Sequence, residues 1–457
     1  MKNLFLISYE VGGIKCIKDD LKISFYKKNV SKDDDTKKYH VKGIYGMNGT
    51  GKTGIITSVK ILKGLISQPN YLMNPLVQKH LSELINKSND TLHIATEFLV
   101  DLKTLKNTYL YDVTISKNEY GYYISREQIE QRKALSRNSE YKTVVTVENG
   151  EITYLDDLVD EDFKKELVDT TKNLLNKSTL ASIFYAKLNS YAITEEMLNN
   201  DVDKADVVFL SLMILELLGG HISVYLDDSD KHLQYLCFED ADQADNKQEE
   251  VRKALGNYLQ IERSDTYNYL FPSTTLVHKE QFSEYKRAVG QLEKFLKKFK
   301  DDLVAIDIDA KEDHDSYACR LNMRYDGYSV NTEFESTGIK KLIELYMYFK
   351  RMVNGDIVFI DEFDSNLHDV YLCALLEYLM EYGEGQLIFT THNVGPMSVL
   401  QKNKKSIDFI SVNHKVYSWV NNGNYSAAKL YREGMVEGSP FNIEAIDFLG
   451  LFEEEDA

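Results

Sequence analysis

The stretch Gly46-Met47-Asn48-Gly49-Thr50-Gly51-Lys52-Thr53 decides the fold. It fits G-x-x-x-x-G-K-[ST], and it sits between a run that reads as a short buried strand (41–45) and one that reads as a helix (53–66). Glycines let the main chain wrap phosphates with its N–H groups turned inward, and the start of the next helix adds the positive end of its dipole. In this reading Asn48, Gly49 and Gly51 line the cradle, Lys52 reaches the β- and γ-phosphates, and Thr53 holds Mg2+. A glycine-rich turn before a helix explains the glycines but not the Lys-Thr pair. By residue frequencies, a chance match belongs to roughly one chain in a hundred of this length.

Working outward, Asp356-Ile357-Val358-Phe359-Ile360-Asp361-Glu362 reads as a buried strand ending in two acids. A P-loop site needs a carboxylate beside the threonine to complete the coordination of Mg2+, and Asp361 suits that role. Glu362, next along, is placed to polarise or deprotonate an attacking water. A hydrophobic strand followed by Asp-Glu is common as a solvated strand end; the phosphate loop upstream is what turns these acids into site candidates. Phe334-Glu335-Ser336-Thr337-Gly338-Ile339-Lys340-Lys341 begins a helix, with Gly338 standing 23 residues before Asp361. Ser336 and Gly338 there offer a hydroxyl and free N–H groups to an anion, or Ser336 is a simple helix cap. Thirty residues after Glu362 comes His392, behind Ile388-Phe389-Thr390-Thr391, at the end of a strand expected beside the Asp361 strand.

The rest of the 457 residues sets bounds. Lys and Arg number 54 against 72 acids, a net charge of −18, which disfavours non-specific coating of DNA. The basic clusters at 294–300 and 402–405 read as solvated faces. The longest apolar run, 207–215, is interrupted by Ser211 and falls short of the ~20 residues of a membrane span. Residues 4–7 are too few for the core of a signal peptide, so the expected location is the cytoplasm, without membrane attachment. Cys16, Cys237, Cys319 and Cys373 lie far apart and read as reduced thiols, not a zinc site. Strand-like runs at 91–100, 108–116 and 120–125 suggest an antiparallel meander. From about Glu127 the pattern turns mainly helical, at 161–176, 204–218, 248–259 and 279–299, interrupted by a strand-like 221–226. His221, Asp227, Asp228 and Asp230 lack metal spacing and read as a solvated loop. The expected organisation is an N-terminal lobe (1–126) carrying the phosphate loop, a mainly helical insertion (127–300), and a C-terminal α/β lobe (301–457).

The order of residues 46–53, Ser336 with Gly338, Asp361-Glu362, Ser365-Asn366-Leu367-His368 and Thr391-His392 resembles an ABC-type ATPase head. More narrowly, it resembles the AAA-family ATPases related to SMC and RecF heads of bacterial abortive-infection and anti-phage systems. The likeness covers the chain up to Ile66 and from Phe334 onward, with the middle as an insertion. The tail Leu430-Tyr431-Arg432-Glu433-Gly434, followed by 442–451, is similar to the ending of that subgroup. The resemblance implies a P-loop NTPase head that binds ATP and Mg2+ and works as a homodimer or higher oligomer. ATP on Lys52 and Thr53 of one copy would be closed over by Ser336 and Gly338 of another, with catalysis by Glu362, His392 and Lys52. Two features depart from the pattern. Transporter-type heads carry an Asp after the strand where this chain has Ser-Asn-Leu-His, and the Mg2+-sensing glutamine has only Gln128 and Gln131 as candidates. Too few residues follow His392 for an appended nuclease domain of the usual ~100–150 residues. The expected role is therefore a sensor–regulator of a separate effector, a nuclease or toxin, with a phage product as trigger. A RecF/SMC-like DNA-repair ATPase and a module that binds nucleotide without turnover are the alternatives.

Overall fold

Val41–Gly46, Ile357–Ile360 and Gln386–Thr390 are buried along their whole length, as strands covered on both faces must be. The computed structural model describes residues 4–26, 36–101, 106–134, 140–157, 161–187, 207–226, 270–403, 405–420 and 425–439. In it these three strands form the middle of a six-stranded sheet. Its order is Val416–Ser418, Ile407–Ile410, Val41–Gly46, Gln386–Thr390, Ile357–Ile360, Ile222–Tyr225. Every neighbouring pair is parallel except the first. The register pairs Thr390 with Ile44 and Ile360 with Phe389, so the ends leading to Gly46, Asp361 and Thr391 lie side by side. In an open α/β sheet, that is the end where ligands bind.

Side-chain alternation decides which helices cover the sheet. Ile357, Phe359 and Ile388 join a core with Ile55, Ile56, Val59 and Leu62 of helix Lys52–Ser67. Val358, Ile360, Leu387 and Phe389 face the other way, onto helices Thr337–Val353 and Asp369–Tyr382. A buried triad pins the start of the Asp361 strand. His221 Nδ1 lies 2.8 Å from Asp356 Oδ1, and Arg351 Nε donates to Asp356 Oδ2 at 2.6 Å. His221 is thus a buried partner of Asp356 and not part of a solvated loop; Asp227, Asp228 and Asp230 lie outside the described residues.

The meander is larger than its sequence pattern suggests. A seven-stranded sheet runs in the order Leu21–Ser24, Leu4–Gly12, Thr91–Asp101, Lys106–Asn118, Gly121–Lys133, Lys142–Glu148, Glu151–Leu155, antiparallel throughout. The expected change to helix at Glu127 therefore falls inside a strand, and helix begins at Glu161–Thr171. Two local features hide the strand: a register shift at Ser125 moves its inward side chains from even to odd positions, and the first inward position after the shift is held by Glu127, not an apolar residue. Its carboxylate accepts from Tyr111 Oη at 2.9 Å and from the Leu180 N–H at 2.8 Å, capping helix Leu180–Lys187. Burial pushes its pKa up to about 7, despite those donors. The side chain of Gln386 joins the two sheets, accepting from the Leu6 N–H at 2.6 Å and donating to the Leu6 carbonyl at 3.0 Å, beside a register shift in Leu4–Gly12.

A third, four-stranded sheet orders Thr275–His278, Ser316–Arg324 and Ala305–Asp313, with Ser329–Asn331 also on Ser316–Arg324. Leu321 and Met323 pack it on Leu292 and Leu296 of helix Phe282–Leu296 and on Leu342 and Ile343 of Thr337–Val353. Helix Val207–His221 takes the place expected at 204–218; the helix expected at 248–259, Cys237 and the tail at 442–451 lie outside the described residues. Among the described residues no helix is long and apolar enough to cross a membrane. Cys16, Cys319 and Cys373 are free thiols.

Candidate active site

The loop after Val41–Gly46 bends where its glycines stand. Gly51 has φ 99°, in the left-handed region, and a Cβ there would lie 2.6 Å from Ile17 Cγ1. Gly49 has φ 78° and open space beside it. Helix Lys52–Ser67 starts with no side-chain cap and no acid in its first turn, so its leading N–H groups and dipole end are left for an anion. Neighbouring segments hold the loop from two sides. Cys16 Sγ–H donates to the Gly49 carbonyl at 3.1 Å, and His414 Nδ1 lies 3.1 Å from the Thr50 carbonyl. Asn48 is exposed and Thr53 is half-buried at the helix start.

Lys52 is buried, and its Nζ donates to the carbonyls of Gly46 at 2.8 Å and Met47 at 2.9 Å. Burial pushes its pKa down to about 8, against the opposing pull of Asp361, Glu362 and Asp364. Strand order and register put Asp361 and the turn after it two strands over from the phosphate loop, at the same end of the sheet. Asp361 is 3% exposed; its N–H donates to the Tyr225 carbonyl at 2.9 Å and its Oδ1 accepts from Thr390 Oγ1 at 2.5 Å. The same Thr390 oxygen accepts the Glu362 N–H at 2.8 Å. Glu362 has φ 47°, a conformation that costs a non-glycine residue free energy and persists only where its surroundings enforce it. Its side chain is exposed. His392 stands two residues past Thr390; burial and the Lys52 charge depress its pKa, while Asp364 and Asp361 act the other way.

The C-terminal end of the sheet therefore carries Lys52, Asp361, Glu362 and His392, all expected from the sequence. It adds Asp364 and Thr390, which were not. A hydroxyl closing the apolar run Leu387-Ile388-Phe389 was the visible signal for Thr390. Ser336 is the cap of helix Thr337–Val353, its Oγ accepting from the Ile339 N–H at 3.4 Å. Gly338 packs against the turn after the Asp361 strand. Gln128 and Gln131 lie in strand Gly121–Lys133 and bond to side chains of their own sheet: Gln128 Nε2 donates to Glu130 at 2.9 Å, and Asn107 donates to Gln131 at 3.5 Å.

A glycine loop between strand and helix, with its lysine opposed by carboxylates at the end of a strand two places over, defines a P-loop nucleotide site. A family model described as "AAA domain, putative AbiEii toxin, Type IV TA system" matches residues 42–397. The chain belongs to that AAA family. No curated protein matches it. AAA domains are ATPase domains that bind ATP with Mg2+, and the residues present fit both. Lys52 is a buried amine resting on the loop carbonyls of Gly46 and Met47 and drawn on by three acids, and Asp361 is a buried carboxyl whose Oδ1 a hydroxyl fixes. Thr53 supplies a hydroxyl at the uncapped helix start.

Proposed function

We propose that this chain is an ATP-hydrolysing head of the ABC/SMC-like kind, acting as a nucleotide-controlled regulator in anti-phage defence. The observation that carries the hydrolytic reading is the placing of Asp361 and Glu362 across the strand ends from Lys52. When bound, ATP with Mg2+ supplies the γ-phosphoryl group to be cleaved. Lys52 exchanges its carbonyl partners for phosphate oxygens, which a charged donor binds more strongly. Thr53 and Asp361 would hold the cation. Glu362, exposed at the site's rim, orients a water and takes its proton. His392 contacts the terminal phosphate from the adjacent strand.

In the same reading two or more copies assemble, and Ser336 and Gly338 of one face the nucleotide of another. The regulated partner is a separate effector, a nuclease or toxin, and a phage product shifts the balance of states by binding one better than the other. The family description, with its toxin and type IV toxin–antitoxin system, supports the defence setting. The net charge of −18 weighs against a DNA-coating role.

The test compares ATP binding and turnover in the parent, Lys52→Ala and Glu362→Gln. Lys52→Ala is expected to lose ATP binding. Glu362→Gln is expected to keep ATP and slow hydrolysis by about 10²–10⁴-fold, the usual contribution of a general base. Parental turnover in Glu362→Gln would refute its role, and full ATP affinity in Lys52→Ala would remove the phosphate-loop reading.

A further inference from the structure

We infer that Thr390 is a positioning residue that couples the metal-binding carboxylate to the catalytic one; this rests on the ATPase reading above. Thr390 ends strand Gln386–Thr390 and is 1% exposed. Its hydroxyl does two things at once. It donates to Asp361 Oδ1 at 2.5 Å, a short charge-assisted bond, and it accepts the Glu362 N–H at 2.8 Å. The first bond selects the orientation of Asp361. The second holds the backbone of Glu362 at φ 47°, where a residue with a Cβ does not stay unaided.

The sheet leaves this task to a side chain. Strand Ile357–Ile360 ends one residue before Asp361, where main-chain pairing with Gln386–Thr390 stops at Ile360 opposite Phe389. Past that point the chain turns, and Phe363 N–H reaches back to the Thr390 carbonyl at 3.0 Å. Thr390 thus binds Asp361, Glu362 and Phe363 in succession, two by its hydroxyl and one by its carbonyl. Were Asp361 to turn toward a bound cation, the hydroxyl would have to follow or release it, and the same atom carries the Glu362 N–H. Cation binding and base placement are linked through one oxygen.

Two substitutions separate hydroxyl from shape. Thr390→Val keeps the volume and removes both bonds; Thr390→Ser keeps the hydroxyl and loses a methyl. Three readouts apply: thermal stability of the free protein, Mg2+ concentration needed for half-maximal binding of a fluorescent ATP analogue, and steady-state ATPase. Thr390→Val is expected to fold and to need several-fold more Mg2+. Its kcat is expected to fall on the order of 10–100-fold with little change in KM, as when a reacting group is misplaced by up to about 1 Å. Thr390→Ser is expected to restore Mg2+ response and kcat. Parental Mg2+ response and kcat in Thr390→Val would overturn the proposal, as would equal losses in Thr390→Ser, which would mark a packing role. If Thr390→Val fails to fold, Thr390→Cys, close in size and a weak donor, takes its place: losses there with parental values in Thr390→Ser support the proposal, and parental values in Thr390→Cys overturn it. A parent chain without turnover counts against the ATPase reading, and the Mg2+ titration still decides on Thr390.

Discussion

The carbonyl oxygen of Asn366 lies 2.6 Å from where a Cβ on Gly338 would stand. The first turn of helix Thr337–Val353 therefore rests on the main chain just past the Asp361 strand, within one copy of the protein. Gly338 is needed there for close approach, whatever else it faces.

That contact makes a stability prediction. Alanine in a helix is ordinarily better than glycine by about 1 kcal/mol, but here its methyl meets the main-chain carbonyl of Asn366 at 2.6 Å. Overpacking of this kind costs about 1–3 kcal/mol, so Gly338→Ala is expected to be destabilised on balance in urea titrations. Binding of ATP to a single copy should persist, since the phosphate loop is untouched. A Gly338→Ala variant as stable as the parent would show that the turn at Asn366 yields freely.

Lys52 makes nucleotide affinity depend on pH. Its ammonium form is the one that binds phosphate, and burial has brought its pKa down to about 8. Affinity for ATP should thus be full near pH 7 and weaken as pH rises through 8 toward 9.5, read by anisotropy of a fluorescent analogue. Lys52→Arg, charged at all these pH values, should bind differently but lose the slope. A parental affinity that stays flat over this range would exclude Lys52 as the titrating contact.

Lys42 and Asp408 form an ion pair at 2.6 Å between the strand leading to the phosphate loop and its neighbour, both side chains 1% exposed. Ser418 Oγ also donates to Asp408, at 2.7 Å. Removing one partner strands a buried charge, so Asp408→Ala should lose about 3–5 kcal/mol, measured by chemical denaturation. Burial already lowers the Lys42 pKa against the attraction of Asp408. Lys42→Met combined with Asp408→Leu should recover much of the loss, because an apolar pair has no desolvation cost. Additive losses in the double variant would mean that the pair is not a unit.

How much of this was legible beforehand follows the range of the interactions. Ile357–Ile360 falls inside the expected run 356–362, and Gln386–Thr390 ends where the strand before His392 is expected, because each is an apolar run bounded by polar residues. The phosphate loop was legible because its chemistry is contiguous: glycines for the bend, then Lys52 and Thr53 at the helix start. The sequence pattern ends strand Gly121–Lys133 early because a register shift at Ser125 breaks its alternation and Glu127 takes the next inward place, and no local rule announces a buried carboxylate with donors waiting at Tyr111 and Leu180.

The amino-acid order by itself determined the P-loop class, the strand that ends in Asp361 and Glu362, and the helix that Ser336 caps, since each depends on neighbours a few residues away. The tertiary structure decided the rest: Thr390 under Asp361 and Glu362, Asn366 against Gly338, His221 on Asp356, Gln386 between two sheets. Those meetings span 28 residues for Thr390 with Glu362 and 135 for His221 with Asp356. Which side chains come within bonding distance over such separations depends on strand order and register, and those are set by the packing of the whole sheet.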